Sequence, residues 1–409
     1  MNQSTEKTVL KEWQLLLLLA GIQFTHILDF VIIMPLGPRF MEVFSINPQQ
    51  FGFIVSSYTF SAGIAGILGT GFVDRFDRKA ILNTSYLGFV LGTYFSAMSP
   101  DYNTLLIARI VSGAFGGIIG AMVFSIIGDV IPYERRGKAS GIIMSAFSFA
   151  SVAGVPLGLF LASQYNSWSA PFWGLSIFST FILILSHFIM PSIRTHLEKN
   201  EYHSAFKVYK IILKDKNHLK AFFLITSMMF GGFSVIPFIS PYMVSNVGVS
   251  EKDLSYLYFF GGGATVFTAR IIGILADKYG KFKVFATVAI LSTIPIYLIT
   301  NLPRVPLYLA LIVSTLFFIL VSGRFIPALA IITSSVLPRN RGGFMSLTSS
   351  FQQIASGLAS SISGIILTKN TDGSMSNYEY VGYMAIFATI VSIYTGSKIQ
   401  VAKDHNHPT

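Results

Sequence analysis

Cysteine is absent from all 409 residues. That removes disulfide scaffolds, thiolate nucleophiles and Cys-ligated metal sites from consideration. Charge is scarce as well, since 29 Lys and Arg with 18 Asp and Glu make only 11% of the chain, against roughly 25% in soluble domains. Long hydrophilic stretches are missing too, and 37 Phe, 35 Gly and a mean hydropathy of +0.63 describe a chain solvated largely by lipid. A soluble enzyme, a disordered chain and a collagen are thereby excluded.

What is present is a succession of apolar windows, each near the roughly 20 residues needed to span a bilayer. Twelve can be drawn, near residues 14 to 36, 51 to 73, 80 to 98, 103 to 131, 138 to 162, 171 to 190, 219 to 245, 253 to 276, 282 to 300, 305 to 336, 343 to 368 and 380 to 398. The first follows Lys7 and Lys11 but is too long for a signal-peptide core, so it is expected to remain as helix 1. Basic residues set the orientation. With both termini cytoplasmic, the inward tails and loops hold 23 of the 29, and only Arg39, Lys252, Arg304 and Lys369 fall outside. The net charge of +11 is then a consequence of topology, and a nucleic-acid partner gains no support from it. The expectation is an all-α polytopic membrane protein, with twelve transmembrane helices in two pseudo-symmetric six-helix bundles, 1–190 and 220–409. A cytoplasmic linker over 191–219 joins them. Within it Tyr202, Phe206, Tyr209 and Leu213 alternate with Lys199, Lys207, Lys210 and Lys214, the pattern of an amphipathic helix on the membrane surface or of a solvated connector.

Two loops repeat. Gly69-Thr-Gly-Phe-Val-Asp74-Arg75-Phe-Asp77-Arg78-Lys79 follows the second window, and Gly273-Ile-Leu-Ala-Asp277-Lys278-Tyr-Gly280-Lys281 the eighth, with the aspartates 203 residues apart. A second echo joins Pro132-Tyr-Glu134-Arg135-Arg136-Gly137 to Pro338-Arg-Asn-Arg341-Gly342. Duplication of a six-helix unit explains both. The chain resembles the major facilitator superfamily of secondary transporters over its whole length. The first loop is similar to that family's G-x-x-x-D-R-x-G-R-K signature, with Thr70 at the first glycine and Asp77 at the second. Ala150-Ser-Val-Ala-Gly154-Val-Pro156-Leu-Gly158 and Pro35-Leu-Gly-Pro38 resemble motifs of its drug:proton antiporter branch. Together with Asp29, Ser57-Tyr58, Ser61-Ala62-Gly63 and Gly323-Arg324-Phe-Ile-Pro327, they look like the group of arabinose-efflux and chloramphenicol-efflux permeases.

The resemblance implies proton-coupled efflux of a small amphiphilic or drug-like molecule from a bacterial inner membrane, by a monomer needing no cofactor or metal. A sugar or metabolite carrier is the alternative within transport. A membrane enzyme would need a nucleophile with a base, and a nucleotide-driven pump a phosphate loop, neither of which the sequence offers. A non-transporting sensor is the remaining reading.

Charges within the windows are functional by default, because each costs about 2.5–3.5 kcal/mol on insertion scales. The clear cases are Asp29, Arg109 and Arg324. Arg109-Ile-Val-Ser112-Gly113 resembles the family motif whose arginine is associated with proton transfer, and His26 lies one helical turn before Asp29. Proton coupling is expected at Asp29, His26 and Arg109, or else an Asp29–Arg109 ion pair that only fixes packing. Arg324 would bind an anionic or hydroxylated cargo or balance Asp29; Tyr58, Phe230, Phe233, Gln352 and Gln353 are candidate cavity walls. Asp74, Arg75, Arg78, Lys79, Asp277 and Lys278 would form charge latches at helix ends. Gly154 and Pro156 would form a pivot or an ordinary tight crossing.

Overall fold

In hydrocarbon a backbone can satisfy its polar groups only within itself, and helices dominate the chain accordingly. The computed structural model describes residues 3–73, 75–132, 135–194, 205–337 and 340–402. In the first half the helices are α1 (Gln3–Val31), α2 (Gly37–Val43), α3 (Pro48–Val73), α4 (Arg78–Met98), α5 (Tyr102–Val130), α6 (Arg136–Phe149), α7 (Val155–Gln164) and α8 (Ala170–Ile189). After the connection come α9 (Ala205–Lys214), α10 (Lys216–Val235), α11 (Ile239–Tyr242), α12 (Leu254–Tyr279), α13 (Lys281–Thr300), α14 (Leu307–Gly323), α15 (Phe325–Ser334), α16 (Arg341–Ile366) and α17 (Tyr378–Gly396).

Among the described residues, nine helical segments are long and apolar enough to cross a membrane. The windows at 80, 343 and 380 are filled by α4, α16 and α17, of 21, 26 and 19 residues. Their composition is more polar for a packing reason. Helix α16 buries Ser350, Ser356, Ser360 and Ser363, and α4 buries Ser85, Thr93 and Ser96, so their hydroxyls face protein rather than lipid. Outward positions such as Phe188, Phe267 and Phe387 are exposed and apolar, as lipid contact requires.

Among the described residues the all-α expectation has one exception. Beyond α16, Thr368–Lys369 pairs antiparallel with Met375–Ser376 in a two-strand ribbon, with Thr368 opposite Ser376. Gly373 turns it at φ 85, a left-handed conformation that a Cβ disfavours. Asn246 clips the ribbon down, its side chain accepting from the Met375 N–H at 2.8 Å and donating to the Met375 carbonyl at 2.8 Å.

The connecting helix differs from its sequence reading. Tyr209 and Ile212 are buried in the protein core, and Tyr209 Oη lies 3.2 Å from Ser346 Oγ on α16, while Leu213, Lys210 and Lys214 are exposed. The apolar stripe at Tyr209 therefore docks on the second half of the chain rather than facing a membrane. Lys199 and Tyr202, and the side chains of Phe206 and Lys207, lie outside the described residues.

Hydrophobic packing differs between the two faces. On the face away from the termini, one core takes Phe40, Phe51 and Ile54 from the first half and Phe238, Tyr242 and Met243 from the second. Arg39 bridges the halves there, its guanidinium 3.3 Å from Glu251 and also hydrogen-bonded to Asn166. On the terminal face the cores are separate. One gathers Leu19, Tyr86, Ile119 and Ile143 of the first half, the other Phe222, Phe285, Ile332 and Phe344 of the second. Nothing lies within 4 Å of a Cβ at Gly137 or Gly141 of α6, or at Gly273 of α12.

Helices α3 and α16 cross at backbone contact. A Cβ at Gly52 would lie 2.7 Å from the Ser360 carbonyl, and one at Gly364 would lie 2.9 Å from the Pro48 carbonyl. Gly52→Ala must push these helices apart, with an expected loss of about 1–3 kcal/mol, read as a lower melting temperature of the purified protein. Gly263→Ala, where nothing lies within 4 Å of the added methyl, should leave the melting temperature unchanged or raise it slightly. Equal behaviour of the two variants would contradict the tight α3–α16 crossing.

Candidate functional site

Helix α1 ends at Val31, ahead of Pro35, and its last two turns carry Thr25, His26, Asp29 and Phe30. Three neighbours converge on that stretch. Helix α5 brings Arg109, α4 brings Thr93 and α3 brings Tyr58. Their close approach depends on small residues. Gly92 packs against Ser112, and a Cβ on Gly113 would collide with the Tyr58 carbonyl and Ser61 Oγ.

Asp29 and Arg109 are 0% and 1% exposed. Arg109 Nη1 donates to Asp29 Oδ2 at 2.7 Å, and its Nη2 to the Asp29 backbone carbonyl at 3.3 Å. Thr93 Oγ1 lies 3.2 Å from Asp29 Oδ1 and 3.0 Å from the Phe89 carbonyl, so its one proton serves either acceptor. The guanidinium carbon stands 4.5 Å from the centre of the Tyr58 ring, a cation–π contact that covers the pair on another side. Removing one partner of such a buried pair costs about 3–5 kcal/mol, because the other charge is left alone.

His26 does not hydrogen-bond to Asp29. Both its ring nitrogens are buried without a partner among the described residues, as is Tyr58 Oη. A Cβ on Gly116 would lie 2.6 Å from Tyr58 Oη and 2.9 Å from His26 Nε2, so the glycine leaves room beside two unspent polar groups. Phe30 stacks on Tyr58 at 5.4 Å and on Phe233 of the second half at 5.8 Å, which carries the aromatic wall across the joint between halves.

Arg324 does not balance Asp29. It is 1% exposed and sits where the tenth window breaks, between α14 and α15. Pro327 has no N–H to give the Gly323 carbonyl, which accounts for a break there. Nη1 donates to Thr389 Oγ1 at 2.8 Å, Nη2 to the Met228 carbonyl at 3.3 Å, and Nε has no partner among the described residues. Phe230, Gln352 and Gln353 are half-buried, and no hydrogen bond joins either glutamine side chain to the Asp29 pair. Gly154 lies in a π turn, Ala150–Gly154, just before Pro156, and a Cβ there would meet Leu28 of α1 at 2.9 Å. The crossing is tight, and the proline that removes a backbone donor sits at the start of α7.

Asp74 lies outside the described residues. Around it Arg75 is exposed, while Arg78 is buried and pairs with Asp129 of α5 at 2.9 Å. Asp277 is exposed and forms no ion pair among the described residues, and Lys278 Nζ stands 5.2 Å from the Tyr279 ring centre. The copies differ most where Asp77 replaces the glycine. Gly280 adopts φ 95, whereas Asp77 keeps φ −54 and caps α4 by accepting from the Lys79 N–H at 2.8 Å. Ser192, the Ile193 N–H and Arg194 also donate to Asp77. Partial burial works to raise its carboxyl, but these donors bring it down to about 2. An Asp two residues before the N–H it accepts from is a helix-cap pattern legible in the sequence; nothing local marks Thr93, Asp129 or Thr389 as partners.

A family model of the Major Facilitator Superfamily matches residues 19–360 and 221–399. The chain belongs to the Major Facilitator Superfamily. It is therefore an integral membrane transporter and not an enzyme. Among its relatives, the MFS-type transporter YceJ of Bacillus subtilis (strain 168) is 22% identical over 389 residues, 94% of this chain and 97% of that one. Multidrug resistance protein 2 of the same organism is 22% identical over 371 residues, 89% of this chain and 92% of that protein. Quinolone resistance protein NorA of Staphylococcus aureus (strain Mu50 / ATCC 700699) is 24% identical over 263 residues, 63% of this chain and 65% of that protein. The solved D-xylose-proton symporter shares the fold with a TM-score of 0.73 at 18% identity, covering 93% of this chain and 97% of its own.

The Asp77 cap gives this transporter a pH signature. Its carboxyl titrates below the unfolded value of about 4, so its stabilisation is present above that value and fades as pH falls towards 2. Asp77→Asn should lower the melting temperature at pH 7, with the difference from wild type shrinking as pH drops below about 4. A pH-independent difference would show that charge at Asp77 is not what matters.

Proposed function

We propose that the chain is a proton-coupled secondary transporter that exports small amphiphilic molecules by alternating access from a bacterial inner membrane. All twelve windows cross the bilayer, as bundles over 1–190 and 220–409 joined by the 191–219 connection, with both termini cytoplasmic. Protons, one small-molecule substrate and membrane lipids are its partners, and it works as a monomer. The observation that carries the reading is the buried Asp29–Arg109 pair, stacked under Tyr58 and one ring away from the joint between halves. Multidrug and quinolone resistance proteins among the relatives support export of drug-like compounds.

In this reading Asp29 is ionised while it holds Arg109. Movement of the halves separates the two, the carboxylate takes a proton from one side, and re-pairing releases it to the other. His26 and Tyr58 line the same place with free polar atoms. Arg75, Arg78, Lys79 and Lys278, with Asp74 and Asp277, make and break contacts at the cytoplasmic surface as the halves rock, about the Gly154–Pro156 crossing.

Asp29→Asn fixes the neutral form. In proteoliposomes it should abolish quinolone accumulation driven by a pH gradient yet leave exchange down the quinolone's own gradient measurable. Gradient-driven accumulation by this variant would leave the pair a packing device only. Flux inward with protons, rather than against them, would favour the uptake-carrier reading. For the topology, single cysteines at Ser140 and Ser374 should react with an impermeant thiol reagent from opposite sides of the membrane; reaction of both from one side would refute the twelve-span arrangement.

A further inference from the structure

The two halves can be compared position by position. Asp74 and Asp277, Pro38 and Pro241, and Phe30 and Phe233 are each 203 residues apart. The last pair confirms the register in space, because these two rings stack on each other across the joint. At the same offset Asp29 corresponds to Gly232.

That glycine stands where a carboxylate is missing. Arg324 Nη2 is 3.6 Å from the position a Cβ on residue 232 would take. In the first half a guanidinium meets the carboxylate of α1; in the second a guanidinium meets bare backbone at the equivalent position of α10. No carboxylate among the described residues lies within ion-pair distance of Arg324, whose protein partners are the neutral Thr389 hydroxyl and Met228 carbonyl. Asp29, the one buried carboxylate among the described residues, is already held by Arg109. Among the described residues the interior thus carries one guanidinium more than its carboxylates neutralise, an arrangement that favours an anion from outside the chain.

We propose that the substrate of this transporter is an amphiphilic carboxylate, whose carboxyl group pairs with Arg324 beside Gly232. The proposal rests on the transport reading and names the substrate class of its site. The unpartnered Nε and the neighbouring Nη2 form the edge of the guanidinium that binds a carboxylate side-on with two hydrogen bonds. Next to Gly232, Phe233 begins the aromatic wall that continues through Phe30 to Tyr58, a surface for the apolar part of the molecule. Pro327 cannot donate to the Gly323 carbonyl, so one helical hydrogen bond is missing beside Arg324. Among the described residues a cationic amphiphile finds no free buried carboxylate.

The test uses the purified full-length protein without any pH gradient and three probes that share one apolar body: 4-phenylbutyrate, 4-phenylbutylamine and 4-phenylbutanol. Affinity is read from ligand-dependent thermal stabilisation. The carboxylate should bind the wild type at least about tenfold more tightly than the amine or the alcohol. Arg324→Gln should erase that preference, and Arg324→Lys should keep part of it. Gly232→Asp is the decisive variant. With nothing closer than 3.6 Å to the new Cβ, it installs the counter-charge within the chain, so it should melt no lower than the wild type and lose carboxylate binding. No carboxylate binding by the wild type, equal or tighter binding of the amine, or undiminished carboxylate binding by Arg324→Gln or Gly232→Asp overturns the proposal. Because no gradient is applied, such a failure leaves proton-coupled transport standing, whereas carboxylate binding without gradient-driven flux would remove the transport reading and keep the site.

Discussion

A charge surrounded by lipid is costly unless it is paired inside the bundle, and the arrangement of α1, α3, α4 and α5 follows from that cost at Asp29 and Arg109. Arg109 reaches Asp29 only because Gly92 and Gly113 let their helices approach to backbone distance. Thr93 and the Tyr58 ring then occupy the remaining approaches to the pair. The four helices are therefore tied to one another by one neutral unit, and loss of either partner would leave about 3–5 kcal/mol of uncompensated charge. The same economy explains why such a pair suits proton coupling. On the proposed reading a proton on Asp29 would free Arg109, and a freed buried guanidinium would drive its surroundings to rearrange, linking protonation to movement through the cost of leaving a charge alone.

Much of this was legible in the sequence because it is local. Apolar windows, the basic bias of one set of loops and the echo of the loop at Asp74 in that at Asp277 all read off neighbouring residues. The three windows whose helices are too polar by composition were still found, since their serines interrupt without charging the run. What was not legible depends on partners far apart in the chain. Thr389 is 65 residues from Arg324, and Asp129 is 51 from Arg78; no spacing rule joins such positions. The docking of Tyr209 on α16 is not legible for the same reason, because an amphipathic stripe shows that a face will be covered but not by what.

Duplication sets the frame, and substitutions at equivalent positions give the halves different work. Asp77 in place of glycine turns a left-handed corner into a helix cap that binds the segment after α8, so the first loop is anchored on both sides. Its counterpart at Gly280 keeps the left-handed corner, and Asp277 beside it is free of ion pairs among the described residues. The same contrast recurs at the centre, where one half completes its ion pair and the other presents an arginine to a glycine. A symmetric pair of halves would bind protons and substrate at equivalent places. On the proposed reading the asymmetry would separate the two tasks.

The division of the core into one joined face and one split face sets the energetic scale of the movement. Joining the halves on the distal face are the packing of Phe51 on Phe238, the α3–α16 glycine crossing and the Arg39–Glu251 bridge. An ion pair as exposed as the last contributes at most about 1 kcal/mol, so the seal is chiefly apolar. Reversing a two-state population from 1:99 to 99:1 takes about 5.5 kcal/mol of differential binding. A seal of small-residue and aromatic contacts can be exchanged for a similar one on the other face at that scale, provided the centre stays packed throughout. Phe30 and Phe233, equivalent by repeat and stacked on each other, are placed to do this: two like rings from two like halves can keep contact while the bundles turn about them. On the proposed reading the charged groups on either side, Arg109 with Asp29 and Arg324 with the carboxylate proposed for it, would lie close to the axis of the motion, where small rotations suffice to make or break a hydrogen bond.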